Sequence, residues 1–121
     1  MKNTKNIEYV HRGKNESRIL QIDFGDKTIT TPTYFPSISS AATRMQLSSL
    51  IKFCTSKNYP RLLISAYDLY YANNERKSII SLLKNYTKNN FLFVDSGTFE
   101  SYWLNDKKWN YNKYNKIIKE L

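Results

Sequence analysis

The chain is poor in the residues that cross-link or ligate. It carries one cysteine, Cys54, and one histidine, His11. A lone cysteine excludes an internal disulfide, and the two residues together cannot assemble a four-ligand Cys/His zinc site. Cys54 falls among apolar neighbours on a helical pattern, which predicts a small buried hydrophobe. No apolar run approaches the ~20 residues that cross a bilayer, so no membrane partner is expected. The opening Met1-Lys2-Asn3-Thr4-Lys5-Asn6 is polar, with no apolar stretch behind it, and predicts no secretory leader. A reducing, cytoplasmic setting is the default for such a chain. There are three glycines, and no Gly-rich phosphate loop follows a predicted strand, so the dinucleotide-binding fingerprint is missing. Acidic residues are also scarce: ten Asp+Glu stand against 19 Lys+Arg, a net charge of +9. That excess points to a polyanion, most often nucleic acid. The positives are scattered along an Asn-, Lys-, Ile- and Tyr-rich chain, so compositional bias is the competing explanation.

With 121 residues, 40% of them hydrophobic, the chain can bury one small core. Residues 1–17 are polar and are expected to form a flexible N-terminal segment, with the folded domain spanning 18–121. Arg18–Ile22 and Lys27–Thr30 alternate as two short strands, and Gly25-Asp26 between them suits a tight hairpin. From Thr31 onward strands alternate with helices. Thr33–Ile38 reads as a strand with Pro36 near its end. A helix opening at Thr43, with Gln46 completing a capping box, buries Leu47, Leu50, Ile51 and Cys54 beside Met45. Arg61–Ala66 is a second strand. A helix capped by Asn73 or Asn74 carries Ile79, Ile80, Leu82, Leu83 and Tyr86, and Phe91–Val94 is a third strand. After a polar, aromatic excursion (Tyr102, Trp103, Asn105, Asp106, Trp109), a last helix begins near Asn112, with Tyr114, Ile117, Ile118 and Leu121 inward.

The order predicts an α/β fold: an N-terminal β-hairpin followed by the first three βα units of a (β/α)8 TIM barrel. Each strand ends in polar groups: Ser37 and Ser39, then Ser65, Tyr67 and Asp68, then Asp95 and Ser96. In a barrel those ends converge on one mouth. Three strands cannot close a barrel of ~250 residues. The chain also stops within a helical pattern at Ile117–Leu121 without a C-cap signal. An incomplete barrel, truncated at the C-terminus, is therefore expected.

The densest signal is Phe91-Leu92-Phe93-Val94-Asp95-Ser96-Gly97-Thr98-Phe99-Glu100. Four bulky apolar residues predict a strand covered on both faces. Asp95 then sits at the strand end, where α/β folds place their chemistry. An acid beside a glycine and a ring suits a flat, hydrogen-bonding heterocycle. The acid accepts N–H donors, Gly97 lets the backbone approach, and Phe99 can stack. The competing reading is an Asp-Ser-Gly turn with Phe99 in the core.

Three segments in order carry a resemblance. Thr31-Pro32-Thr33-Tyr34-Phe35-Pro36, followed by Ala42-Thr43, is similar to a Thr-Pro-x-Phe-Met-Pro strand. Ser65-Ala66-Tyr67-Asp68-Leu69 is similar to Asn-Thr-Tyr-His-Leu, and Asp95-Ser96-Gly97-Thr98-Phe99-Glu100 to Asp-Ser-Gly-Gly-Phe/Tyr-Gln. Across residues 18–100 the chain thus resembles the N-terminal part of the tRNA-guanine transglycosylases, the queuine/archaeosine tRNA-ribosyltransferase family. These are zinc-containing (β/α)8 glycosyltransferases that exchange guanine in nucleic acid for a 7-deazaguanine such as a queuosine precursor. The resemblance implies a role in tRNA processing or another nucleic acid modification. Ser65, Asp68, Thr98 and Glu100 stand where the motifs have Asn, His, Gly and Gln. These departures put the chain nearer divergent relatives, including those that place deazaguanines in DNA.

Carried over by residue, the resemblance makes Asp95 the catalytic proton acceptor and base ligand, with Ser96, Gly97 and Thr98 along the base-binding loop and Phe99 stacked on the ring. The family's nucleophilic aspartate and its zinc ligands belong to the second half of the barrel. The resemblance therefore implies no zinc or other cofactor in this chain, and no turnover by the chain alone. Implied partners are tRNA or DNA, a guanine or 7-deazaguanine base, and a second chain completing the barrel. A non-catalytic, basic nucleic-acid-binding module using Tyr102, Trp103, Trp109, Tyr111 and Tyr114 with Lys107, Lys108 and Lys113 is the alternative; so is one half of a split enzyme. Packing of those rings over a sheet edge is the simpler explanation for the segment.

Overall fold

The structure, a computed structural model, describes residues 6–12, 18–42 and 44–121, with side chains at 18–41 and 44–121. It is α/β and falls into two compact units, Met1–Tyr34 and Phe35–Leu121. In the first, strands β1 (Asn6–Arg12), β2 (Arg18–Asp23) and β3 (Thr28–Thr30) form an antiparallel sheet in that order. The expected hairpin is β2–β3. Gly25 takes φ +94°, and the Phe24 amide donates to the Lys27 carbonyl at 2.8 Å. Within the segment expected to be flexible, Asn6–Arg12 pair with β2, from Asn6 opposite Asp23 to Arg12 opposite Arg18. Residues 1–5 and 13–17 of that segment lie outside the described residues.

The second unit is built on a parallel sheet of β4 (Ser37–Ile38), β5 (Arg61–Ser65) and β6 (Phe91–Asp95), in sequence order. Helices α1 (Leu47–Ser56), α2 (Ala66–Tyr70), α3 (Arg76–Tyr86), α4 (Thr98–Trp103) and α5 (Tyr111–Glu120) complete it. Ile51, Leu69, Ile79, Leu83 and Ile117 from four helices share one core with Ile38, Leu62 and Ile64 of the sheet. These helices therefore cover a single face of the sheet. On β6, Leu92 and Val94 pack toward that core, whereas Phe93 is 42% exposed and stacks on Phe35 at 4.1 Å. The expectation of a strand covered on both faces is corrected accordingly. The sheet is small and open, and no closed barrel is formed among the described residues.

Other departures have local causes. β4 is two residues long instead of Thr33–Ile38: Pro36 offers no amide to the ladder, and only its carbonyl joins it, accepting from the Leu63 amide at 2.9 Å. The first helix begins at Leu47 with Gln46 at its N-cap, and no side chain caps it. Thr43 lies outside the described residues, and Met45 is exposed ahead of the helix. Neither asparagine caps α3, because Asn73–Glu75 form a 3-10 turn that runs straight into it. Asn110 does cap α5, its side chain accepting from the Lys113 amide at 3.1 Å. Ile117 is buried on α5 as expected, but Ile118 is 40% exposed. Cys54 is half-buried beside the core, and burial raises its thiol pKa. Among the described residues no helix is long and apolar enough to cross a membrane.

Candidate functional site at the strand ends

The carboxyl ends of the three parallel strands lie side by side, because β5 and β6 pair without slip from Arg61 opposite Phe91 to Ser65 opposite Asp95. Asp95 is thus the last residue of β6. Its Oδ1 accepts the Gly97 amide at 2.6 Å, an Asx-type turn that swings the chain into α4. Its Oδ2 has no protein partner among the described residues. Gly97 follows at φ +75°, a left-handed conformation that suits glycine. Phe99, expected in the core if the turn were merely structural, is 54% exposed. A cavity of about 660 Å³ opens here, lined by Ser37, Ser39, Cys54, Asp95, Phe99 and Glu100 among others.

The five residues assigned to the base site do not all face this cavity. Asp95 and Phe99 do. Ser96 and Thr98, whose hydroxyls lie 2.9 Å apart, line a second cavity of about 490 Å³ with Trp109, Tyr111 and Tyr114. Gly97 is buried between, with Tyr67 so close that an added Cβ would fall 2.5 Å from the Tyr67 Cβ. The β6–α4 turn therefore divides two hollows.

Behind the rim is a set of buried acids that sequence reasoning left without a role. Glu100 is 2% exposed and accepts from the Ser39 hydroxyl at 2.7 Å and the Ser65 hydroxyl at 2.8 Å. It joins α4 to the ends of β4 and β5. Asp68 is 5% exposed and accepts from both the amide (2.8 Å) and the hydroxyl of Ser40, holding the 3-10 turn Ser40–Ala42 at the rim. Polar residues closing every strand were the available signal; which hydroxyl meets which acid depends on the register.

Burial raises the Asp68 pKa above 3.8, the Ser40 bonds oppose the shift, and Glu100 and Asp95 add to it. The folded state thus holds the Asp68 proton to higher pH than the unfolded chain. Its contribution to stability is fully present below the unfolded value and is lost as pH rises through the folded one. An asparagine in its place would keep one acceptor for the Ser40 amide and a donor for the Ser40 hydroxyl without a buried charge. Asp68→Asn is therefore expected to match or exceed the wild type at pH 7 and to flatten the stability–pH curve above 3.8. Urea titrations at several pH values check this; an unchanged slope would contradict it.

Tyr67 and Tyr71 donate to Asp106 Oδ2 at 3.2 and 2.7 Å, and Lys113 donates to Tyr71 at 3.2 Å. Burial, then the Asp106 charge, pushes Tyr67 up to about 12. Trp109 packs edge-on against Tyr67 and Tyr70 and donates to the Ser96 carbonyl at 2.9 Å. Trp109 and Tyr114 are thus packing residues, whereas Tyr102, Trp103 and Tyr111 are largely exposed.

Among the described residues no three His, Cys, Asp or Glu side chains are placed to hold a metal. With one cysteine and one histidine, the chain does not fit a Cys/His zinc centre. Comparison with known proteins finds no matching family model, no matching curated sequence and no matching solved structure.

Proposed function

We propose that the second unit is the base-binding portion of a transglycosylase-like enzyme that acts on guanine or a 7-deazaguanine in nucleic acid. The observation that carries this reading is that Asp95, with one carboxylate oxygen engaged by the Gly97 amide, and the exposed Phe99 line one cavity. A purine-like base stacked on Phe99 would present its N–H edge to Asp95, and Asp95 would accept the base's proton as the glycosidic bond exchanges. The one-sided helix layer supports an incomplete (β/α)8 barrel. Leu63, Phe35 and Phe93 lie on or beside the uncovered sheet face, where further strands would close over them. The positive charge suits a tRNA or DNA acceptor, and the single cysteine suits a reducing cytoplasm. By this reading the 121-residue chain binds a base without exchanging it, and turnover needs a complementary half.

Titrating the chain with 7-deazaguanine and following heat or Phe/Trp fluorescence tests the cavity. Phe99→Ala is expected to weaken binding about tenfold, within the ~1–3 kcal/mol range of base–aromatic stacking. Asp95→Ala removes a charge-assisted hydrogen bond of about 1.5–3 kcal/mol and should weaken it at least as much. Equal affinity of wild type and Asp95→Ala would reject the reading.

A further inference from the structure

Beyond the cavity, α4 carries an apolar surface that the fold does not cover. Phe99 is 54% exposed, Tyr102 76%, Trp103 64%, and Leu104, just past the helix, 54%. Their rings form a continuous series: Phe99 meets Trp103 at 6.0 Å and Trp103 meets Tyr102 at 5.7 Å, both edge-on. The series begins on the ring that lines the cavity and runs away from it. The turn after α4 folds back, the Asp106 amide donating to the Ser101 carbonyl at 2.8 Å, and the exposed Lys107 and Lys108 follow it directly. The Asp106 carboxylate in that turn is engaged by Tyr67, Tyr71 and the Lys108 amide.

We infer that Trp103 and Tyr102 form a stacking ledge for the unpaired nucleotides that flank the target base, with Lys107 and Lys108 against their phosphates. Three features favour a nucleic acid strand over a protein partner. The exposed residues are mostly flat rings, which accept any base face. Two exposed lysines follow the rings within five residues in a chain of net charge +9, complementary to a polyanion. The series also continues directly from Phe99, so a strand with one base in the cavity has its neighbours at the ledge. The directional part of this inference rests on the base-binding reading of the cavity; the ledge itself does not.

The test compares a short single-stranded oligonucleotide with an abasic strand of the same length, using the full chain. Trp103→Ala and Tyr102→Ala are each expected to weaken the base-bearing strand roughly tenfold and to leave the abasic strand unchanged, while Trp103→Phe retains most of the affinity. Circular dichroism should be unaltered, because both side chains are exposed. Equal losses on the two strands, or no loss on either, would overturn the inference. So would a dimer that Trp103→Ala dissolves without changing oligonucleotide affinity. Free 7-deazaguanine separates the two proposals. If it fails to bind while the ledge variants behave as expected, the cavity reading falls and the ledge stands. If it binds and the ledge variants are silent, the reverse holds.

Discussion

Replacing Gly97 with alanine is expected to destabilise the second unit by about 3 kcal/mol or more, out of the ~5–15 kcal/mol that holds a domain of this size. Two terms add. At φ +75° an L-residue costs roughly 1–2 kcal/mol. The added Cβ would also stand 2.5 Å from the Tyr67 Cβ and 2.8 Å from the Tyr67 amide nitrogen, forcing α2 and the β6–α4 turn apart at roughly 1–3 kcal/mol. Tyr67 cannot yield cheaply, because its amide donates to the capping Ser65 hydroxyl in the first turn of α2 and it is itself buried. Gly97→Asn separates the two terms. Asparagine tolerates the left-handed conformation but brings the same Cβ, so it should still lose roughly 1–3 kcal/mol, less than alanine by the backbone strain. Urea unfolding followed by tryptophan fluorescence reads both. If the asparagine variant came within ~0.5 kcal/mol of wild type, the close approach of the two strand-end turns would not be limiting.

Glu100 carries the second large effect. Glu100→Ala withdraws a charged acceptor from both Ser39 and Ser65 and leaves a hole in a buried region. Hydrogen bonds to a charged group contribute about 1.5–3 kcal/mol each, so a loss of about 3 kcal/mol is expected even after partial collapse. Glu100→Gln keeps the length and one acceptor oxygen, and its amide can donate to the second hydroxyl. It should cost no more than about 1 kcal/mol, because removing a buried charge offsets the weaker bonds. Glutamine is also what the resembling motif places here. The same denaturation experiment decides the matter: similar stabilities for the alanine and glutamine variants would mean that the three strand ends are not tied through this carboxylate. Loosening the tie should also free Ser39, which lines the cavity, so the alanine variant is expected to bind a base more weakly than its stability alone requires.

The β6 motif shows how far local reading reaches. Its apolar run and Asx turn were legible, because strand periodicity and the Asp-to-amide bond are properties of adjacent residues. The helix that follows was not. Thr98–Trp103 is short and aromatic, and it forms because Gly97 reverses the chain and Glu100 is anchored by serines 61 and 35 positions earlier. The same division separates Trp109 from Trp103. Both are tryptophans in one polar stretch, yet one meets Tyr67, Tyr70 and the Ser96 carbonyl, while the other is largely exposed and, among the described residues, pairs with the rings of Phe99 and Tyr102 on its own helix.

From its amino acids alone this chain is committed to an α/β order of elements, to a net positive charge, and to an acid, a glycine and a ring at the end of its third parallel strand. Those follow from periodicity, composition and bonds between near neighbours, which need no tertiary partner. Only the folded sheet decided that Asp95 and Phe99 share a cavity while Ser96 and Thr98 face another, and that Glu100 and Asp68 bind the rim together. The reason is register: sliding a strand by one residue exchanges its faces, and that choice is made by the packing of the whole core.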